Sequence, residues 1–152
     1  MVDIVDTVTR SRMMSGIRRQ DTQPEIVVRR SLHAMGLRFR LHRRDLPGVP
    51  DVVLPGRRIA IFVHGCFWHM HPNCRLSKLP ETRRDFWQAK LEANVRRDRR
   101  TVETLLSMGW RVLTVWECAV RTDAKAIKLS QELRQWIDSD DSIGEISGVS
   151  KP

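Results

Sequence analysis

The sequence predicts an α/β domain in which helices flank a mixed central sheet. Three segments carry apolar residues at helical spacing, and four short segments are either apolar or alternate between apolar and polar residues. Along the chain they read as a helix, three strands, a helix, a strand and a helix, an order that packs helices against a sheet. The length of 152 residues fits one domain with a modest core.

The first predicted helix begins at a capping box. Thr22 has the side chain of an N-cap, and Glu25 stands at the third helical position. Val28 and Leu32 follow at helical spacing, and Gly36 ends the element. Because Glu25 lies three residues before Val28, it points toward the same inward face, so a capping role and a functional role both fit it.

Three predicted strands follow this helix. Residues 37–42 alternate and predict a half-buried strand with one basic face. Residues 51–54 form a short second strand, and the apolar residues 59–63 form a central one. Reactive groups are often placed just past the end of a rigid strand. Residues 62–74 begin at the end of the central strand and hold two cysteines and three histidines. We therefore expect the functional centre there.

The second and third strands form a hairpin whose register decides what faces Asp51. Asp51 follows Pro50, and a Pro-Asp dipeptide before a hairpin and a strand is the skeleton of a PD-(D/E)xK nuclease. Residues 62–64 read Phe-Val-His, without the Glu and Lys of that pattern. One turn position sets Asp51 opposite His64, another sets it opposite Ala60, and the sequence leaves both open.

A long helix and a further strand occupy the second half of the chain. The helix ends at Gly109, and Asp98 falls on its apolar stripe between arginines of a solvated basic face. A carboxylate in that position is either part of a site or a buried ion pair with arginine or histidine. Residues 110–116 predict the next strand, which leads to Cys118, and residues 123–137 predict the last helix.

The charge of the chain favours a polyanionic partner. Lys+Arg number 27 against 18 Asp+Glu, which gives a net charge of +9 and a pI near 10.7. Such proteins gain affinity for nucleic acid through counterion release, although the charge could serve solubility alone. We see no apolar stretch of about 18 residues and no signal-peptide core, so we expect a cytoplasmic, nucleoid-associated protein without membrane contact.

We divide the chain into three parts. Residues 1–21 form a basic N-terminal arm that is expected to order only on a partner. Residues 22–137 form the folded domain, and residues 138–152 form a polar, disordered tail. Neither an internal repeat nor a linker splits the domain, and we expect a monomer.

Three cysteines and a histidine suggest a structural metal site. Cys66, His71 and Cys74 have C-x4-H-x2-C spacing, and Cys118 follows another sheet strand. A closed Cys3His set is typical of structural zinc, which would tie the ends of two strands together. Two alternatives stay open: His69 could replace His71, and another side chain could replace Cys118. The thiols could also be unrelated buried groups.

Groups suited to phosphodiester hydrolysis surround this site in the sequence. Asp51 can bring Mg²⁺, which neutralises phosphate charge. His64 and His69 titrate near neutral pH and can serve as base, acid or phosphate donor. His69 stands between two candidate zinc ligands, so a bound zinc would hold its backbone in place.

The motifs together resemble a known family. The strings VHGCFWHMHPNC, TRRDFW, NVRRDRR and GWRVLTVWEC, with the N-terminal TRSRMMSGIRRQDTQPE, resemble very short patch repair (Vsr) endonucleases over about residues 7–137. The resemblance implies a fold similar to type II restriction endonucleases, with a structural zinc added, and makes residues 22–137 an endonuclease domain. Members of the family nick DNA 5′ to the thymine of a T:G mismatch, which arises when 5-methylcytosine deaminates, and work alongside mismatch-repair proteins.

The resemblance also implies roles for individual residues. The implied catalytic residues are Asp51, His64, His69, Glu25 and Asp98, and the implied zinc ligands are Cys66, His71, Cys74 and Cys118. Asp51 would bind the catalytic Mg²⁺ with the backbone carbonyl of Val63, a position that can be threonine in this family. His69 would activate the water or hold the phosphate. Glu25 would act through a water on the metal or through a histidine.

An aromatic wedge is implied next to the catalytic residues. Phe67, Trp68 and Trp87 would enter the base stack beside the mismatch, with Met14 entering from the opposite groove. The residues support this, because Phe67 and Trp68 lie in a loop between candidate zinc ligands, where neither is well placed for a core. Unstacking costs about a few kcal/mol per step and less at a mismatch. We assign Phe86 to the core and Trp87 to DNA; the alternative is that both pack the long helix.

The sequence therefore predicts a Mg²⁺-dependent, strand-specific DNA mismatch endonuclease with structural zinc. Its expected partner is double-stranded DNA containing a T:G mismatch, together with mismatch-repair proteins. Two other functions compete with this one. The first is a restriction-type endonuclease that needs no mismatch, and the second is a zinc-containing DNA-binding module without catalysis.

Overall fold

A computed structural model of the chain describes residues 21–149, apart from the side chain of Asp123. Within this range there are three α-helices, namely α1 (Gln23–Ala34), α2 (Arg84–Ser107) and α3 (Asp123–Ile137). The same range contains five strands, namely β1 (Arg40–Leu41), β2 (Val52–Leu54), β3 (Ile59–His64), β4 (Arg111–Trp116) and β5 (Ile143–Ile146). Met14 lies outside the described residues.

The strands form one mixed sheet in the order β1-β2-β3-β4-β5. Pairing is antiparallel from β1 to β3 and parallel from β3 to β5. Because β3 and β4 are parallel neighbours, their carboxyl ends meet at one edge of the sheet, where His64 pairs with Trp116. The sequence-based prediction of a mixed sheet flanked by helices is confirmed.

Helices cover both faces of this sheet. On one face Ile61 of β3 packs with Leu32 of α1 and Leu133 of α3. On the other face Phe62 packs with Leu105 of α2. The central strand is therefore buried on both sides, as expected for a strand with a parallel neighbour. Among the described residues, none of the helices is both long enough and apolar enough to cross a membrane.

The first helix begins as predicted, but the strand after it is shorter. The hydroxyl of Thr22 accepts a hydrogen bond from the N–H of Glu25 at 3.4 Å, which caps α1. Of the predicted residues 37–42, only Arg40–Leu41 form a strand. The N–H of Leu37 bonds the carbonyl of Leu32 and so belongs to the end of the helix. His42 turns the chain away with φ 46°.

The hairpin adopts neither of the two registers considered above. Asp51 lies opposite neither His64 nor Ala60, the two residues that the sequence left open. Val52 pairs with Ile61, so the same register continued by one residue sets Asp51 opposite Phe62. The cause is the connection, because Pro55–Arg57 form a 3-10 turn whose length shifts the pairing midway between the two predictions.

The disorder predicted from residue 138 onward is wrong where β5 forms. Ile146 is buried, and Gly144 lies so close to Trp136 that a Cβ would overlap the indole ring. The guanidinium of Arg111 donates to four carbonyl oxygens of the chain leading into β5, those of Trp136, Ile137, Ser139 and Asp141. The polar composition concealed this strand because main-chain pairing and one arginine stabilise it, not an apolar run.

Candidate active site and metal centre

Asp51 is held at the entrance of β2 by the neighbouring strand. Its Oδ2 accepts a hydrogen bond of 2.7 Å from the backbone N–H of Val63. Its own carbonyl accepts the N–H of His42 at 3.2 Å, so the first and third strands both fix its position. The predicted pair of Asp51 and Val63 is therefore brought together, with the Val63 N–H on the carboxylate.

The electrostatic surroundings make Asp51 a weak acid. Its pKa is raised to about 6, mainly because burial disfavours the charged form. The Val63 N–H bond opposes this rise, the carboxylate of Glu25 adds to it, and the charges of His42 and His69 oppose it. In the absence of a cation this carboxylate would take up a proton in mildly acidic solution. Such a group gains from a nearby cation more than an ordinary surface aspartate does.

Two histidines and an aspartate form a stacked and hydrogen-bonded set. The rings of His64 and His69 are parallel within 4°, with centroids 3.7 Å apart. His69 Nδ1 lies 2.5 Å from Asp98 Oδ2, where a ring N–H donates to the carboxylate. This arrangement leaves His69 Nε2 free of Asp98 and available to a reacting group. The carboxylate on the apolar stripe of α2 is therefore paired with histidine.

His64 differs sharply from His69 in its surroundings. It ends β3 and is buried beneath the His69 ring. Its pKa is lowered to about 3, mainly by burial and also by the neighbouring His69, while the charge of Asp98 opposes the shift. His64 is consequently neutral at physiological pH, and its ring supports that of His69.

Glu25 takes part in the cap of α1 and also carries a buried carboxylate. Its backbone N–H takes part in the cap of α1, and the residue as a whole is buried, with 2% of its surface exposed. Oε2 accepts hydrogen bonds from Arg29 at 3.0 Å, His42 Nε2 at 3.1 Å and the N–H of Asp21 at 3.1 Å. A carboxylate so well satisfied is fixed in place beside Asp51.

The cysteine-histidine set converges at the carboxyl ends of the two parallel strands. Cys66, His71 and Cys74 lie on the loop after β3, and Cys118 lies in the 3-10 turn after β4. Their ligand atoms all fall within 4.8 Å of one another. The histidine in this set of four is His71, whereas His69 contacts Asp98 instead.

The geometry of this set fits a tetrahedral zinc. The Sγ of Cys118 and the Nδ1 of His71 are 3.5 Å apart. A tetrahedral zinc with typical bond lengths separates a sulfur and a nitrogen ligand by about 3.6 Å. Burial raises the pKa of the Cys66 thiol, and burial lowers the pKa of His71. Without a cation the Cys66 thiol therefore favours its neutral form.

Trp116 lies between the metal-ligating set and the histidine stack. Its indole stacks on the imidazole of His71, with centroids 4.1 Å apart and planes 10° apart. It meets the ring of His64 edge-on at 5.4 Å and 73°. A continuous row of rings therefore joins the two sites through this residue, which is itself buried.

Three aromatic side chains cluster at the open end of the site. Phe67, Trp68 and Trp87 have ring centroids 5.1 to 6.0 Å apart, and Trp68 is 38% exposed. The assignment of Phe86 to the core is wrong, because this residue is 45% exposed. It lies in the first turn of α2, where the guanidinium of Arg83 lies over its ring at 4.3 Å.

Comparisons with known proteins identify the family of the chain. A family model described as "DNA mismatch endonuclease Vsr" matches residues 2–76. The DNA mismatch endonuclease Vsr of Escherichia coli is 44% identical over 96% of this chain and 94% of its own length. The type II nicking enzyme V.XorIIP of Xanthomonas oryzae is 51% identical over 78% of this chain and 86% of its own length. The chain belongs to the Vsr family.

Membership in the Vsr family establishes the class of activity. The chain is a DNA endonuclease, a hydrolase of the DNA backbone from a family of metal-dependent nucleases. A third relative, the type II nicking enzyme V.NmeAIP of Neisseria meningitidis, is 37% identical over 82% of this chain and 88% of its own length. The family named from the sequence motifs is confirmed.

Sequence reasoning missed three residues of this Vsr chain that contact the sites. His42 joins Glu25 to the backbone of Asp51, and Trp116 joins the two histidine-containing sets. Ser147 contacts His71 from the segment that was predicted to be disordered. A signal existed for His42, which ends an alternating strand next to the Asp51 hairpin. For Ser147 the sequence carried no such signal.

Proposed function

We propose that this Vsr-family endonuclease nicks one strand of duplex DNA on the 5′ side of the thymine in a T:G mismatch. Its substrate would arise by deamination of 5-methylcytosine, and its product would enter very short patch repair. The observation that supports this most strongly is one short loop. Phe67, Trp68 and His69 are consecutive, so groups suited to unstacking bases adjoin a group suited to activating the water that attacks the DNA backbone.

Asp51 is the proposed site of the catalytic Mg²⁺, with the backbone carbonyl of Val63 as a second ligand. The donor set fits, because Mg²⁺ is usually held by one or two carboxylates together with substrate phosphates. The raised pKa of Asp51, about 6, marks a carboxylate with an incompletely compensated charge. When bound, Mg²⁺ would neutralise charge on the scissile phosphate and favour ionisation of the attacking water.

His69 is the proposed general base. Asp98 holds Nδ1, which keeps the lone pair on Nε2 and stabilises the positive charge that the ring acquires on taking a proton. His64 stacks against the ring and fixes its plane. Glu25, through His42, holds the backbone that carries Asp51.

A structural zinc at Cys66, His71, Cys74 and Cys118 would hold the loop that carries these groups. The four ligands come from two chain segments that lie 44 positions apart between Cys74 and Cys118. A closed ligand set has no open position for substrate, so its contribution would be to geometry and stability. His69 lies two residues before a ligand and would be positioned by it.

Phe67, Trp68 and Trp87 are the proposed wedge that tests the base stack. A mismatched step is easier to unstack than a paired one, so a rigid aromatic cluster favours mismatched DNA. Met14 is proposed to enter from the opposite groove. The net charge of +9 supports contact with the DNA backbone on both sides of the nick. We further propose that the protein acts as a cytoplasmic monomer at the nucleoid, alongside mismatch-repair proteins.

The test compares duplexes that differ in a single T:G or T:A pair. With Mg²⁺ present, we expect one nick, 5′ to the mispaired thymine, in the T:G duplex only. The relatives described as type II nicking enzymes do not have a mismatch in their names, so a second candidate is a restriction-type endonuclease without a mismatch requirement. Equal nicking of both duplexes would support that candidate. Tight binding without any nick would support a non-catalytic module.

A further inference from the structure

The last described residues of the chain lie directly on the metal centre. Ser147 Oγ is 3.2 Å from Nε2 of His71 and 3.8 Å from Sγ of Cys118. The N–H of Gly148 donates to the same sulfur at 3.3 Å. Val149 packs against the cluster that contains Cys66 and Cys118. Three consecutive residues therefore contact two of the candidate zinc ligands.

The contact with His71 is on the nitrogen that the metal would not use. Nδ1 of His71 faces the sulfur of Cys118, which leaves Nε2 for the hydroxyl of Ser147. Metal-ligating histidines usually donate their second ring N–H to a fixed partner, which sets the tautomer and the ring orientation. Ser147 stands in the position of such a partner.

The contact with Cys118 depends on the residue type at position 148. A Cβ there would overlap the carbonyl oxygen of Cys118 and lie 2.8 Å from its carbonyl carbon. Glycine allows the two backbones to approach until the N–H reaches the sulfur. An N–H donated to the sulfur fixes its orientation within the ligand set. The Nζ of Lys125 donates to the carbonyl of Cys118 at 3.1 Å and secures the same turn.

The sheet delivers this segment to the metal centre. β5 runs parallel to β4, and β4 leads into the turn that holds Cys118. The strand therefore ends at the same edge of the sheet as the ligands. Ile146 is buried and anchors the chain one residue before Ser147.

We propose that residues 147–149 form an outer shell that closes the zinc centre and slows the loss of the metal. This inference rests on the proposed zinc centre. The segment orients His71, supports the Cys118 thiolate and covers one side of the site. These contacts give residues 147–149 a positioning role that the polar composition of this part of the chain does not suggest.

Two truncations test the role of this segment. One ends after Ile146 and keeps β5, and the matched control ends after Val149 and removes only residues 150–152. Each zinc-loaded protein is mixed with a chromogenic chelator, and the rate of zinc transfer is followed. Loss of an outer-shell partner typically weakens metal binding roughly 10–100-fold. We expect faster transfer of that order after the first truncation and an unchanged rate in the control.

Single substitutions keep the test decisive if the shorter chain does not fold. Ser147→Ala removes one hydroxyl and should speed zinc transfer several-fold, whereas Ser147→Thr keeps the hydroxyl and should restore slow transfer. Ser142→Ala, at an exposed serine before β5, is the matched control. Gly148→Ala should speed transfer as well, because its methyl group forces the backbone away from Cys118.

The outcomes separate the inference from the zinc centre itself. In one outcome, the full-length protein carries one zinc but loses it as fast as the chain truncated after Ile146 and as fast as Ser147→Ala. That result overturns the outer-shell role and leaves the zinc centre intact. Full-length protein that holds no zinc overturns both. Faster loss in the truncation and in Ser147→Ala, with normal rates in both controls, supports the inference.

Discussion

Asp51 destabilises the metal-free fold while serving the proposed reaction. Its pKa is raised from 3.8 to about 6, so the folded protein holds the proton more tightly than the unfolded chain does. Ionising the carboxylate therefore lowers the free energy of unfolding as the pH rises through this range. The destabilisation by the ionised carboxylate is complete above about pH 6 and disappears below about pH 4.

Asp51→Asn removes this charge and keeps an oxygen for the N–H of Val63. Without added Mg²⁺, the variant should be more stable than the parent at about pH 8, by up to roughly 3 kcal/mol. The two proteins should converge near pH 4. Urea unfolding at several pH values measures the difference, and nicking should be lost. A variant that is less stable than the parent at high pH would contradict the electrostatic argument.

His69 and Asp98 should act as a unit. A positioned general base contributes about 10²–10⁴-fold to a rate. His69→Ala should reduce single-turnover nicking by a factor in that range, and Asp98→Asn should reduce it less, because the ring remains but loses its orienting carboxylate. DNA affinity and zinc content serve as controls and should be retained. Nicking by His69→Ala at the parent rate would remove the histidine from the reaction.

A local signal in the sequence indicated that Asp98 needs a partner or a role in a site. Asp98 stood out as a carboxylate on an apolar stripe, and the structure pairs it with His69. His42 was missed because its partner, Glu25, lies 17 positions away and meets it only after the strands assemble. The residue across the hairpin from Asp51, Phe62, was not predicted. A three-residue turn, Pro55–Arg57, shifts the hairpin register by an amount that the sequence pattern does not reveal.

At the scale of elements, β4 links the two centres through its last residue. Trp116 stacks on His71 and contacts His64, which supports His69. We therefore expect the position of the indole to affect both the cysteine-histidine set and the histidine stack. Parallel pairing of β3 and β4 creates this contact, because it sets His64 beside Trp116 at one edge of the sheet.

Replacing Trp116 should disturb both centres. Truncation of a buried tryptophan to alanine costs about 3–5 kcal/mol, so Trp116→Ala should lower the urea midpoint and speed zinc loss. The nicking rate should fall even where the variant is fully folded. Trp116→Phe retains an aromatic ring and should recover most of the rate. An unchanged rate in folded Trp116→Ala would show that the histidine stack does not depend on the indole.

The prediction for β5 failed because its sequence resembles that of a disordered tail. Residues 138–152 are acidic and rich in Gly and Ser, a composition that favours disorder. The strand forms because β4 offers a main-chain edge and because Arg111 binds the carbonyls that precede it. Longer elements were predictable, since α2 and α3 show a clear helical period and their bounds differ little from the predicted ones.

At the scale of the whole molecule, the three layers place the histidine stack and the cysteine-histidine set at one edge of the sheet. Helices α1 and α3 cover one face of the sheet and α2 covers the other. The parallel strands β3 and β4 end at the edge where both centres lie. The class of this architecture followed from the order of helices and strands. The convergence of the two centres depends on strand pairing and required the structure.

We propose that one loop couples mismatch sensing to cleavage. Its aromatic residues, Phe67 and Trp68, precede His69 directly and pack against Trp87 of α2. If these rings select weakened base pairs, their removal should cost the enzyme its preference for mismatched DNA. The reacting groups and the zinc ligands would remain in place.

The most direct test is the ratio of single-turnover nicking rates on T:G and T:A duplexes for Trp68→Ala. Ile127→Ala, at an exposed apolar residue of α3, is the matched control. We predict that the ratio falls about 5- to 150-fold for Trp68→Ala, the change expected for one lost stacking interaction of roughly 1–3 kcal/mol, and stays at the parent value for the control. A parent-like ratio in Trp68→Ala, with zinc retained, would contradict the claim that this loop senses the mismatch.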